Sequence, residues 1–223
     1  STLTMAANTS LPYDIIAADF NKDGRLEVAN TNRTGNSVSV RLANADGSLG
    51  ESTAFVQHTG SSVDSRRQRK PFAHSINLSP DNRFAIVADL GLDKVLVYRF
   101  DAKKGSLEPN DPPSVSVKPG SGPRHFAFHP SGKYGYVINE MGSSITAFSW
   151  DKARGAFKEL QTISTIPEDF KKENNCAEVQ VHPSGRFVYG SNRGHDSIAV
   201  FAVDPARGTL TAVERVSTQG VMP

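Results

Sequence analysis

The strongest constraint on this chain is a unit of about 50 residues that is written four times. Three copies align closely, on "HSINLSPDNRF" from His74, "HFAFHPSGKYG" from His125 and "EVQVHPSGRFV" from Glu178. A looser copy, "IIAADFNKDGRLEVAN" from Ile15, precedes them. The copies fall at roughly 12–60, 71–121, 122–175 and 176–223 of a single domain, 1–223. Within each, a short alternating strand meets a Pro-Ser-Gly or Pro-Asp-Asn turn and a second apolar strand follows, as in Tyr134 to Ile138. A polar turn leads to a third alternating strand, such as Ser197 to Val203, and Gly-Ser-Leu, Gly-Ala-Phe or Gly-Thr-Leu turns the chain into a fourth. Period-two patterning bounded by Gly, Pro, Asn and Asp is the signature of strands and hairpins. No stretch carries helical periodicity with caps.

The expected fold is therefore all-β, a β-propeller of about four four-stranded blades. Four is a small number for such a ring. The first residues, "STLTMAANTSLP", read as the tail of an earlier copy, and the last, "TQGVMP", as the lead-in to a further one. Part of a longer propeller, a half-ring completed in a homo-oligomer and a small closed ring all fit. The segment before Pro12 is expected to pair as a strand in a neighbouring or terminal blade.

Composition removes several classes of partner. With 25 basic and 23 acidic residues the net charge is +2, which argues against nucleic acid or an acidic membrane surface. The run Arg66-Arg67-Gln68-Arg69-Lys70 has no interleaved aromatic and reads as a solvated loop. A single cysteine, Cys176, excludes an internal disulfide and a cysteine-based zinc site. No apolar run approaches the roughly 20 residues that span a bilayer. No leader pattern stands at Ser1, and the compartment stays open.

Repeat alignment also places candidate site residues. In antiparallel hairpins, residues equidistant from the turn face each other. Counting from Gly132 sets Arg124 opposite Glu140; counting from Gly185 sets Ala177 opposite Arg193, and from Asn82, His74 opposite Leu90. His74, Arg124, Glu140 and Arg193 thus gather on one rim, where neighbouring blades meet around a channel, as an anion-binding and acid–base pocket. The plainer alternative is a cross-strand ion pair between Arg124 and Glu140. His125 and His129 lie on one strand face but about 13 Å apart at the usual rise, too far for one metal ion. His129 and His182 read as turn residues and His195 as a loop residue.

The first copy carries another signal. Asp19, Asn21, Asp23, the Arg25 carbonyl and Glu27 follow D-x-N-x-D-G-x-x-E, an oxygen set and glycine suited to calcium. The alternative is a polar Asp-Gly hairpin turn.

The motifs "PFAHSINLSPDNRF", "GPRHFAFHPSGKYGYVINE" and "NNCAEVQVHPSGRFVYGSNRGHDSIAVF" resemble the lactonase-type seven-bladed propellers. That group includes propeller 6-phosphogluconolactonase and carboxy-muconate lactonizing enzyme. The resemblance runs from about Ser48 to the C-terminus. It implies hydrolysis, or cycloisomerisation, of a small anionic sugar-acid or muconate-type lactone. By motif it carries the family's site histidine, arginines and glutamate onto His74, Arg124, Glu140 and Arg193. Two departures stand out. Phe72 occupies a position where the family usually has histidine, and the copies are fewer than seven. The first copy, "AADFNKDGRLEVANTNRTGNSVSV", resembles instead the calcium-binding FG-GAP (integrin-type) repeats. A non-catalytic propeller, for binding or scaffolding or recombined from two families, is the alternative function.

Overall fold

A computed structural model describes residues 12–32 and 35–223, and among them it has strands and turns but no helix. The first blade is β1 (Pro12–Ala18), β2 (Glu27–Asn32), β3 (Ser37–Ala43) and β4 (Leu49–Gln57). The second is β5 (Ala73–Leu78), β6 (Phe84–Asp89), β7 (Lys94–Asp101) and β8 (Ser106–Ser116). The third is β9 (Pro123–Phe128), β10 (Tyr134–Asn139), β11 (Ser144–Asp151) and β12 (Ala156–Ser164). The fourth is β13 (Asn175–Val181), β14 (Phe187–Arg193), β15 (Ser197–Val203) and β16 (Leu210–Ser217). Each blade is an antiparallel meander, its strands paired in chain order. The propeller class expected from the repeats is the observed one. The expected strand before Pro12 lies outside the described residues.

The blades stack face to face, and the two-residue period of the strands explains how. On β6, Ile86 and Ala88 pack towards the third blade with Phe126, Val137 and Phe148. Ala85 and Val87, on the other face of the same strand, pack towards the first blade with Val38 and Val40. On β10, Val137 joins the second blade, while Tyr136 and Ile138 join Cys176, Val179 and Phe201 of the fourth. Three apolar seams thus separate four blades. At about 1.5–3 kcal/mol for each large apolar side chain buried, these seams dominate the packing energy. Polar clamps at the outer strands set their register: Thr53 donates to Gly105 O (3.0 Å), Asn110 to Gly155 O (2.9 Å), and Gln161 exchanges two hydrogen bonds with Leu210 (2.7 and 3.0 Å).

The innermost strands β1, β5, β9 and β13 lie side by side in that order. Each breaks its ladder at the same rim. Pairing skips from Pro12 to Asp14, from Ala73 to Ser75, from Pro123 to His125, and from Cys176 to Val179. Tyr13, His74 and Arg124 therefore occupy equivalent bulges, which turn a side chain out of the sheet's regular alternation. This corrects the equidistance rule used on the sequence. Ile138 pairs with His125 and Asn139 with Pro123, so Glu140 comes level with Gly122, whose carbonyl accepts its N–H (2.7 Å). Arg193 pairs with Asn175 rather than Ala177, and Leu90 N bonds Phe72 O.

Candidate active site

Despite the shifted register, the four predicted residues converge, and Glu140 is their hub. It follows directly on β10, with its backbone held on both sides: its N–H by Gly122 O, its carbonyl by Cys176 N (3.0 Å). Its Oε2 lies 3.1 Å from Arg124 Nε and 3.2 Å from Arg193 Nη2, with His74 Nε2 at 3.7 Å. The bulges of β5 and β9 bring His74 and Arg124 inward; Arg193 arrives from the end of β14. Both arginines are braced from behind by the irregular stretch of β13, Arg124 donating to Ala177 O (2.6 Å) and Arg193 to Cys176 O (2.9 Å).

Three contributions were not legible in the sequence. Arg67 donates to the other oxygen of Glu140, Oε1, at 2.6 Å. The basic run is therefore more than a solvated loop: Gln68 within it is fully buried, bonded to Leu90 O (2.8 Å), and Arg67 enters the site. His125 sits between Arg124 Nη1 (3.2 Å to Nε2) and Glu178 Oε2 (2.8 Å to Nδ1). A guanidinium can only donate, so Nε2 accepts and Nδ1 carries the proton given to Glu178. The third contribution is the pair of β13 carbonyls, which no side-chain pattern announces.

Electrostatics set the protonation states. His74 is fully buried, and neither ring nitrogen makes a hydrogen bond among the described residues. Burial first, then the electrostatic influence of Arg124, His125 and Arg193, pushes its pKa well below the usual imidazole value. It is neutral at neutral pH and closed to solvent, which does not suit it to carry protons in the acid–base pocket expected on this rim. Tyr13 (ring centroids 4.1 Å) and Phe72 (5.4 Å) pack against its ring. Glu178 resists the upward pull of burial because the His125 hydrogen bond, with those of Val179 N and Gln180, brings its pKa below the ordinary carboxylate value. Burial pushes the Cys176 thiol up to about 12, so it is no nucleophile.

A polar cavity of 160 Å³ is bounded by all four innermost strands, through Asp14, Ser75, His125 and Glu178 among others. A larger cavity, 550 Å³, lies among the turns of the first two blades and holds none of the four residues. Three other histidines, His129, His182 and His195, are held by serines two residues away. His129 and His182 bond the serine of their own turns (Ser131 and Ser184, both 2.8 Å), and His129 also reaches Gly185 O of the next blade (2.8 Å). His195 bonds Ser197 (2.7 Å).

The calcium-type loop is held by its own hydrogen bonds. Asp19 accepts from Asp23 N and Gly24 N (2.9 Å each), Asn21 Oδ1 from Asp23 N (2.9 Å), and Asp23 from Arg25 N (3.0 Å) and the Arg25 side chain (2.5 Å). Glu27 is fully buried, with Oε2 on Phe20 N (2.8 Å) and Oε1 without a hydrogen-bond partner. Among the described residues no group of three or more His, Cys, Asp or Glu side chains is disposed to hold a metal ion.

A family model, the seven-bladed β-propeller lactonases, matches residues 2–223. The chain belongs to the lactonase family. The match takes in the first copy, so all four blades are lactonase blades; neither an FG-GAP origin for the first nor the muconate branch finds support. The Bacillus subtilis 6-phosphogluconolactonase is 42% identical over 186 residues, covering 83% of this chain and 52% of that protein. The periplasmic gluconolactonase of Pseudomonas aeruginosa superposes with a TM-score of 0.86 at 34% identity, covering 96% of this chain and 59% of that one. A Lactobacillus plantarum protein superposes at 0.83 with 36% identity, covering 88% and 56%. This lactonase chain thus spans about half the length of the curated relatives it matches.

Proposed function

We propose that the protein hydrolyses a lactone of an anionic sugar acid. The observation that carries this reading is the gathering of Arg124, Arg193 and His74 around one oxygen of Glu140, in a chain whose named relatives act on gluconolactones. Water attacks the lactone carbonyl carbon as Glu140 takes its proton. The oxyanion that forms draws on the braced guanidinium groups of Arg124 and Arg193, whose N–H donors are already in place. Collapse of the tetrahedral intermediate breaks the ring C–O bond, and the proton held by Glu140 passes to the departing ring oxygen. The product is the open hydroxy acid. His74, kept neutral by burial, acts as a neutral ring against Glu140 and not as an imidazolium acid. Saturable, enzyme-dependent opening of a gluconolactone, followed by proton release, is the expected result. A panel of sugar-acid and muconate-type lactones that all open at the buffer rate would overturn the reading and leave a binding propeller; turnover confined to muconate-type lactones would redirect it to that chemistry.

We also propose calcium for the loop of Asp19, Asn21, Asp23, the Arg25 carbonyl and Glu27, supported by the buried and unbonded Oε1 of Glu27. Binding would exchange several carboxylate–amide hydrogen bonds for metal contacts. Melting is then expected to rise with calcium and fall with chelator, by mass action on the folded state. Identical melting curves in the two, or a shift that survives Asp23→Ala, would remove the proposal.

A further inference from the structure

Glu140 is poorly placed to act as a base while both of its oxygens are occupied. Oε2 is shared by Arg124 and Arg193, and Oε1 is taken by Arg67 at 2.6 Å. Three of the roughly four acceptor sites of the carboxylate are thereby filled by cations, and Oε1 faces Arg67 where a water to be deprotonated would have to stand. The three arginines are not alike, however. The Arg124 and Arg193 side chains are 14% and 22% exposed, and each has a carbonyl partner as well. Arg67 is 47% exposed, and Glu140 is the one hydrogen-bonding partner of its guanidinium among the described residues. Of the three contacts, this is the one a ligand can break.

The backbone beneath Arg67, by contrast, is firmly held. Asp64 Oδ1 accepts the N–H groups of Arg66 and Arg67 (2.8 Å each), and Gln68 N bonds Asp64 O (2.8 Å). The buried Gln68 side chain ties the loop to Leu90 O and to Asp64 N (3.1 Å). Gly91 lies so close that a Cβ there would collide with Lys70 O. Movement is thereby confined to the Arg67 side chain. Around Glu140, three guanidinium charges face one carboxylate and a neutral imidazole, a surplus that suits an incoming dianion.

We infer that Arg67 is a cap on Glu140 that the substrate itself removes: the remote anionic group of the lactone draws the Arg67 fork onto itself and frees Oε1 to accept the proton of the attacking water. Recognition of the anion and release of the base become one event. The guanidinium fork matches a phosphate or carboxylate in two-point fashion, which a lysine cannot. The inference rests on the lactonase reading above.

The test compares kcat/KM for 6-phosphogluconolactone with that for unphosphorylated gluconolactone in the whole chain and in Arg67→Ala and Arg67→Lys. Wild type is expected to prefer the phosphorylated lactone. In Arg67→Ala that preference falls about 10–100-fold, the worth of one or two hydrogen bonds to a charged group, and kcat on the unphosphorylated lactone rises because Oε1 is uncapped. Arg67→Lys falls between, and it stands in for the alanine variant should that fail to fold. A change in the preference of less than tenfold overturns the cap, as does a parallel fall on both lactones, which marks Arg67 as part of the site's shape alone. If wild type opens neither lactone, the lactonase reading has failed, and the cap is judged by calorimetry with gluconate 6-phosphate. A tenfold or greater loss of affinity in Arg67→Ala then sustains only the anion contact of Arg67 and ends its role in releasing a base; equal affinity, or no binding to either form, ends both.

Discussion

Glu140→Gln is expected to lower kcat on a gluconolactone by about 10²–10⁴-fold, the usual cost of losing a general base. Glutamine keeps the shape of the side chain and one acceptor oxygen, so the backbone anchors at Gly122 O and Cys176 N remain. It cannot take a proton, and it leaves Arg67, Arg124 and Arg193 without their shared counter-charge. With the Glu140 side chain only 7% exposed, this differs from an exposed ion pair worth about 0–1 kcal/mol, and a fall in melting temperature should accompany the kinetic loss. Rates are therefore compared well below the melting temperatures of both proteins. Wild-type turnover in Glu140→Gln would remove the glutamate from the chemistry and leave only the ion pair.

The largest effect on stability is expected at Asp89, which lies outside the site. Its carboxylate is fully buried at the end of β6, with Oδ2 on His58 Nδ1 at 2.6 Å and Oδ1 accepting from Phe72 N (2.7 Å) and Leu92 N (3.1 Å). His58 Nε2 in turn meets the hydroxyl of Tyr98 (3.0 Å), whose own pKa is raised by burial and by the Asp89 charge. Asp89→Ala strips a partner from three donors at once, the buried His58 ring and the partly buried Phe72 N and Leu92 N. At about 1–3 kcal/mol for each donor left without its acceptor, the loss is about 3–5 kcal/mol, which in a chain of this size lowers the melting temperature by about 6–20 °C. Because Phe72 stands two residues before His74, the lactone-opening rate should fall as well. A melting shift under about 2 °C would show that the surroundings relax to satisfy these groups.

The fold was legible because the blades repeat the same punctuation, alternating strands and a glycine at the third hairpin in all four, with a Pro-containing first turn in the last three. One blade read correctly corrects the reading of the next. The site was legible only in part, and register shows why. A rule of equal distance from the turn holds in a regular ladder, but the bulge at each rim inserts an extra residue, and nothing in "GPRHF" or "PFAHS" marks it. Arg124 and Glu140 meet for a reason other than the one their spacing suggests. Arg67 was obscured by its neighbours, since four basic residues in five look like a solvated loop. The distinguishing signal was Gln68, a neutral residue inside the run that proves to be its buried anchor. The loop of Asp19 to Glu27 shows the same limit from the other side: the spacing of ligand-type residues is also the spacing of a self-bonded turn.

The alternating faces of β6 and β10 carry a consequence for how this protein comes apart. Neighbouring side chains on one strand belong to different seams, so a cavity made at Ile86 weakens the join between the second and third blades, and one made at Val87 the join between the first and second. Stability then behaves as a chain of nearest-neighbour couplings, as in linear repeat arrays. The Glu140 cluster draws His74 from the second blade, Arg124 from the third and Arg193 from the fourth, so it straddles two of these couplings. Any slippage of one blade against the next parts an arginine from the carboxylate before the sheets themselves unravel. The cluster is in effect a strain gauge across the two joins, and loss of turnover on warming should precede loss of strand structure.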